Sequence, residues 1–114
     1  MIRVDLYSSD EGLRGFRIQG HAGAAPSGED VVCAGVSAVA QTALLGLDAF
    51  LPGGFGWDLR ADGWIDCFLV RELSPEEGRV SEIILGTLKL GLESIESNYR
   101  KYIKIKNGRR EDAP

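Results

Sequence analysis

From Val31 to Leu51, apolar residues recur at helical spacing on more than one side of the chain. Val32, Val36, Val39, Ala43 and Leu47 form one stripe, and Ala34, Ala38 and Leu45 make the neighbouring faces small or apolar as well. A helix of this kind needs cover on more than one side, and in a small domain the second cover is often another subunit. Pro52-Gly53-Gly54 stops it. The chain has 114 residues, enough for one domain. With no second domain to form a cleft, a site must sit at a sheet end, at a helix terminus or between subunits.

Strand signals lie on both sides of this helix. Ile2, Val4 and Leu6 alternate with Arg3, Asp5 and Tyr7, then Ser8 to Gly12 is turn material, and Phe16 and Ile18 alternate with Arg17 and Gln19. These two segments predict a hairpin. Trp57 to Val70 predicts a second hairpin, turning at Ala61-Asp62-Gly63. A two-residue Asp-Gly turn sets Leu59 opposite Asp66. A three-residue loop with Gly63 left-handed sets Leu59 opposite Ile65 and Trp57 opposite Cys67. The second register gives one apolar face, Trp57, Leu59, Ile65, Cys67 and Leu69, and is the one expected. It leaves Trp64 and Phe68 on the other face, for a partner to cover.

Ser74-Pro75-Glu76-Glu77 reads as a helix start, with Ser as cap, Pro in the first position and Glu three after the cap. The helix is expected to run to about Tyr99, with Val80, Ile84, Leu88 and Ile95 inward and Glu96 paired with Arg100. Tyr102 to Lys106 reads as a last strand. The order is β-β-α-β-β-α-β, which predicts an α+β two-layer sandwich with both helices on one face of a mostly antiparallel sheet. Residues 1–106 form the expected domain and 107–114 a disordered tail.

The net charge of -4 argues against a general nucleic-acid binder, and no direct nucleic-acid binding is expected. Basic residues do gather late, at Lys101, Lys104, Lys106, Arg109 and Arg110. The favoured reading is a solvated strand edge and tail, with an RNA-facing or substrate-facing patch as the minor one. Two cysteines do not make a disulfide framework, the N-terminus reads as a strand rather than a signal peptide, and no apolar run is read as membrane-spanning. A cytoplasmic protein with reduced thiols and no membrane partner is expected.

The chemistry-bearing stretch is Gly20 to Ala38. It holds His21, the single histidine, and Cys33 twelve positions later. Between them, Gly20 to Glu29 has no large apolar residue and reads as a mobile surface loop. Asp30 stands where a helix cap would, which puts Cys33 in the first helical turn. There, free N–H groups and the positive dipole end favour a thiolate, and the same groups can receive an oxyanion. Each residue also has a plain reading. Cys33 can be a small buried hydrophobe, and His21 an exposed loop residue rather than a general base. Asp30 can cap the helix or orient His21. Ser37, one turn after Cys33, can bond thiol or substrate, or its own helix backbone. Cys67 reads as core. No C-x-x-C, phosphatase loop, P-loop or dinucleotide fingerprint is present, and one His with two Cys is too few for a zinc site, so no metal or cofactor is expected.

Gly20-His21-Ala22, Gly28-Glu29-Asp30 and Val32-Cys33-Ala34-Gly35-Val36-Ser37 together resemble the bacterial ribosomal-processing cysteine protease family, Prp. The resemblance covers the order of strands and helices across nearly the whole chain. It implies a cysteine endopeptidase with a Cys33–His21 dyad, Asp30 and Ser37 in support, and Gly20, Ala22, Gly23 and Gly28 in the substrate-binding loop. It further implies a homodimer, and a substrate that is the precursor of the large-subunit ribosomal protein numbered twenty-seven, trimmed of an N-terminal extension during ribosome maturation. The rival from another class is a non-catalytic ribosome-associated or assembly-factor module, in which the loop binds a protein tail and Cys33 only packs.

Overall fold

The computed structural model describes residues 1–20, 27–61 and 63–110, with the backbone alone for residues 27–30. Strands β1 (Ile2–Ser9) and β2 (Gly12–Gln19) are followed by helix α1 (Ser27–Phe50). Then come β3 (Phe55–Arg60), β4 (Trp64–Leu69), helix α2 (Pro75–Asn98) and β5 (Ile103–Gly108). The order is the one expected. The five strands form one sheet, β3-β4-β2-β1-β5. Every neighbouring pair is antiparallel except β1 with β5. Both helices lie on one face, closing a two-layer α+β sandwich.

The alternation read in the sequence sets the inner face of the sheet. Ile2, Val4 and Leu6 of β1, and Phe16 and Ile18 of β2, are all buried against Val32, Val36 and Leu47 of α1. The β3–β4 hairpin takes the three-residue register, with Leu59 opposite Ile65 and Trp57 opposite Cys67, and Gly63 is left-handed at φ 75°. The apolar face is only half covered, however. β3 is an edge strand, so Ile65 and Cys67 are buried while Trp57 and Leu59 stay exposed.

Helix α2 starts as expected. Ser74 accepts the N–H of Glu77, and the Glu77 carboxylate accepts the N–H of Ser74. Of its expected inward stripe Leu88 is buried, but the rest is displaced: the buried residues are Ser81, Leu85, Leu88 and Leu92, at i, i+4, i+7 and i+11. Val80, Ile84 and Ile95 are half-buried, and Ile84 and Ile95 turn toward Gly46 and Gly35 of α1, where no side chain stands in the way. The expected Glu96–Arg100 pair is replaced. The helix ends before Arg100, and Glu96 accepts the backbone N–H of Ile105 at 2.8 Å, tying α2 to β5. β5 runs two residues beyond the expected end of the domain, through Asn107 and Gly108, because both pair with β1. Residues 111–114 of the expected tail lie outside the described residues.

By length and composition Val31–Phe50 does reach the measure of a membrane-spanning helix, contrary to the sequence reading. Its Val32, Val36, Ala40 and Leu47 are core residues of the sandwich.

The outer face of the sheet is polar and organised around one buried acid. Asp66 is 2% exposed. Tyr7 donates its hydroxyl to Asp66 Oδ1 at 2.5 Å, and Arg110 and Arg17 donate to Oδ2 at 2.9 and 3.2 Å. Burial works to raise the Asp66 carboxyl, but these three hydrogen bonds outweigh it and hold the group below the usual carboxylate range. Burial first, then the hydrogen bond to Asp66 and its charge, push the Tyr7 hydroxyl up. Trp64 and Phe68, expected on this face, already carry arginines of the same chain. Arg17 and Arg60 lie 4.8 and 4.3 Å from the Trp64 ring centre, and Arg110 lies 4.0 Å from that of Phe68.

Candidate active site

Cys33 is half-buried and its thiol is free. It opens on a cavity of about 310 Å³ where the ends of β1, β2 and β4 meet α1. One wall is α1, with Cys33, Val36 and Ser37. The facing wall is apolar side chain and bare backbone: Ile2, Ile18 and Ile65, with Gly20 and Gly63 at the rim. Gly20 and Ser37, both candidates in the sequence, thus share a cavity with Cys33. Ile2, Ile18, Gly63 and Ile65 were legible only as strand and turn residues, because the sheet brings them together from separate strands.

Gly20 is held to glycine by two independent constraints. Its φ of 80° is left-handed, and a Cβ there would stand 2.6 Å from the carbonyl oxygen of Met1. The chain therefore leaves β2 at this cavity by a route that only glycine follows. The residue bonded to Gly20 is His21. His21 itself, with Ala22 and Gly23, lies outside the described residues.

Two expectations about the helix start are corrected. α1 begins at Ser27, so Gly28 belongs to the helix rather than the loop, and Asp30 is inside the first turn rather than capping it. Whether Asp30 orients His21 lies outside the described residues. Local reading placed the start at Asp30 because the apolar stripe begins beyond it, but a first turn need not touch the core. Cys33 is accordingly the seventh residue of α1, in its second turn. Its N–H falls inside the helical hydrogen-bond ladder, not among the first four free donors. The dipole effect fades within the first turn, so the helix start alone does not supply the thiolate environment or the oxyanion donors expected of it.

Ser37 points its chemistry elsewhere in this state: Gln41 Nε2 donates to Ser37 Oγ at 3.0 Å. Cys67, by contrast, is fully buried and its thiol is pushed up to about 12, mainly by burial and further by Asp66. Of the two thiols, Cys33 alone has both a cavity beside it and partial access to solvent.

A half-exposed cysteine beside a small apolar cleft on a two-layer α+β sandwich is the geometry against which known proteins compare. The sequence profile of the family described as cysteine protease Prp matches residues 1–104. The chain belongs to the Prp cysteine protease family. The ribosomal processing cysteine protease Prp of Bacillus subtilis (strain 168) is 34% identical over 102 residues, covering 86% of this chain and 88% of that one. The Prp protein of Staphylococcus aureus (strain Mu50 / ATCC 700699) is 32% identical over 109 residues, covering 92% of this chain and 97% of that one. Among solved structures, the essential ribosomal processing protease Prp from S. aureus in complex with a substrate peptide superposes with a TM-score of 0.81. It is 25% identical and the match covers 95% of this chain and 100% of that one. The same S. aureus protease with a covalently linked product peptide superposes with a TM-score of 0.79 at 27% identity, with the same coverage of both chains.

Proposed function

We propose that this Prp-family chain is a cytoplasmic cysteine endopeptidase that removes the N-terminal extension of the large-subunit ribosomal protein numbered twenty-seven, with Cys33 as nucleophile and His21 as its base. The observation that carries the reading is the shared cavity: Cys33 forms one wall and Gly20, bonded to His21, forms the rim. The S. aureus Prp structure with a covalently linked product peptide supports covalent chemistry on this fold.

The residues divide the work as follows. An extended peptide enters the cleft and sets an apolar side chain against Ile2, Ile18 and Ile65, where burial stabilises it by roughly 1.5–3 kcal/mol. His21 accepts the Cys33 proton, and the thiolate sulfur forms a bond to the scissile carbonyl carbon. On collapse of the tetrahedral adduct the C–N bond breaks, and His21 returns the proton to the leaving amine. Water, giving a proton to His21, then cleaves the Cys33 thioester and frees the carboxyl product. With α1 starting at Ser27, thiolate formation rests on His21 rather than on the helix dipole. Ser37, one turn beyond Cys33, is available to substrate once it releases Gln41.

The homodimer belongs to the same reading. Val31, Leu45 and Phe50 of α1 and Ile83 and Leu90 of α2 are exposed on the side away from the sheet. A groove of about 520 Å³ runs between the helices, floored by Gly46, Gly91 and Ala43. That apolar strip supports a second copy as the outer cover that α1 demands.

The test is incubation with the ribosomal-protein precursor from the same genome, read by intact mass, beside Cys33→Ala and His21→Ala. A single N-terminal trim by the wild type, lost in Cys33→Ala and slowed at least about 100-fold in His21→Ala, is the expected result. Full-rate cleavage by Cys33→Ala refutes the nucleophile. Binding of the precursor without trimming by the folded wild type replaces the protease with the binding-module reading.

A further inference from the structure

The charge on this chain is divided between its two layers. α1 and α2 together carry eight acidic residues against two basic ones. The outer face of the sheet has the opposite balance. Strand pairing puts Arg3, Arg17, Arg60, Lys104 and Lys106 there with three aspartates, Asp5, Asp58 and Asp66. Arg110 joins them by its bond to Asp66. The net charge of -4 is thus an average over a negative helix layer and a positive sheet face. Such a molecule is oriented by a polyanion, sheet first.

The positive surplus is concentrated. Asp66 is buried between Arg17 and Arg110, and Asp58 is paired with Arg60 at 2.8 Å. Asp5 lies between Arg17 and Lys106 in the register. Arg3 and Lys104, adjacent across β1 and β5, and Lys106 two residues on, face solvent with Arg109 close by in sequence. Lys104 and Lys106 lie on one face of β5, about 6.6 Å apart along the strand. On the same face, three strand spacings or about 14 Å from β5, flat π-cation surfaces stand on β4: Trp64 under two guanidiniums and Phe68 under one. A row of fixed cations on one face with stacked guanidinium and aromatic planes is the chemistry that holds a phosphate backbone and stacks exposed bases. An acidic peptide would use the cations but has no planar bases for the stacks.

We propose that the outer face of the sheet, from Lys104 and Lys106 of β5 across Arg3 to the Trp64 and Phe68 stacks, is a binding surface for RNA, with unpaired nucleotides as its preferred form. The surface is on the side of the sheet opposite Cys33, so the proposal goes beyond the peptidase reading and stands or falls separately from it. Bound this way, the enzyme keeps its cleft free for a protein tail while the sheet rests on RNA.

The experiment is fluorescence anisotropy of a short end-labelled single-stranded RNA titrated with the full chain across a salt series. The wild type is expected to bind with a salt slope of about -2 or steeper, and the Lys104→Ala, Lys106→Ala double variant with a slope less negative by about 1.4, two phosphate contacts at about 0.7 each. Both lysines are exposed, so the double variant keeps its fold and its precursor cleavage. Cys33→Ala protein is expected to bind RNA as the wild type does. Absence of RNA binding overturns the proposal, as does a double variant with unchanged affinity and slope. Displacement of the RNA by polyglutamate at equal charge concentration also overturns it, and assigns the face to an acidic protein partner.

Discussion

Replacing Asp66 by Asn separates what the buried carboxylate does from what its shape does. The amide oxygen of Asn can still accept the Tyr7 hydroxyl, while its NH₂ then faces Arg17 and Arg110, which both lose a carboxylate oxygen as acceptor. The side chain of Arg110 is 48% exposed and turns to water at small cost. That of Arg17 is only 11% exposed, so its lost carboxylate partner is where the cost falls. Losing a hydrogen bond between charged groups costs about 1.5–3 kcal/mol, and breaking a buried ion pair up to about 3–5 kcal/mol. Arg17 sits between these cases, giving an expected loss of about 2–4 kcal/mol. In a domain of this size that lowers Tm by about 10–15 °C. Urea unfolding followed by tryptophan fluorescence reads it, since Trp64 stacks on Arg17. The midpoint should fall with little change in slope. The native carboxyl is held below its unfolded value, so its contribution is complete above about pH 4, the unfolded value, and fades as pH drops through the native one. The gap between wild type and Asp66→Asn should therefore shrink in acid. A loss under about 1 kcal/mol at neutral pH, or a gap that widens in acid, would refute the reasoning.

Three further outcomes follow from packing and access. In Gly15→Ala, the new Cβ would stand 2.1 Å from the Cys67 carbonyl oxygen, so β2 and β4 must part; thermal unfolding should show a loss of about 2–3 kcal/mol, and an unchanged Tm would contradict the close strand approach. Iodoacetamide on native protein should label Cys33 and leave Cys67 until unfolding, read by peptide mass; early labelling of Cys67 would contradict its burial and raised thiol. Leu45→Glu with Ile83→Glu, at positions 70% and 68% exposed in one chain, should yield a folded monomer by light scattering while the wild type is expected to run as a dimer; a double variant that stays dimeric would move the interface off the helix layer.

The legibility of this chain varied with how local each decision was. The β3–β4 register was readable because alternation and Gly63 act within a dozen residues, and the capping box at Ser74 and Glu77 is complete within four. Cys33 stood out for the same reason, since the Prp-like pattern around it lies between Gly20 and Ser37. The start of α1 was misplaced because two local cues competed. Asp30 is a good cap residue, but the helix already runs from Ser27, three residues before it. The inward stripe of α2 was read in part: Leu88 is buried as expected, but Ser81, Leu85 and Leu92 are buried in place of Val80, Ile84 and Ile95, because Ile84 and Ile95 are drawn aside to glycines of α1.

The sequence by itself determined the element order, the two hairpins, the apolar demand of α1 and the candidate nucleophile, because periodicity, turn chemistry and motif spacing are all short-range. Only the tertiary structure decided that β5 pairs in parallel with β1, joining opposite ends of the chain. It alone decided which side chains wall the Cys33 cavity, and it alone assembled Asp66 with Tyr7, Arg17 and Arg110, partners 59, 49 and 44 residues away. Those choices depend on which strands become neighbours once the core is buried. No local propensity encodes the position of a strand in a sheet; the sum of long-range packing against two helices sets it.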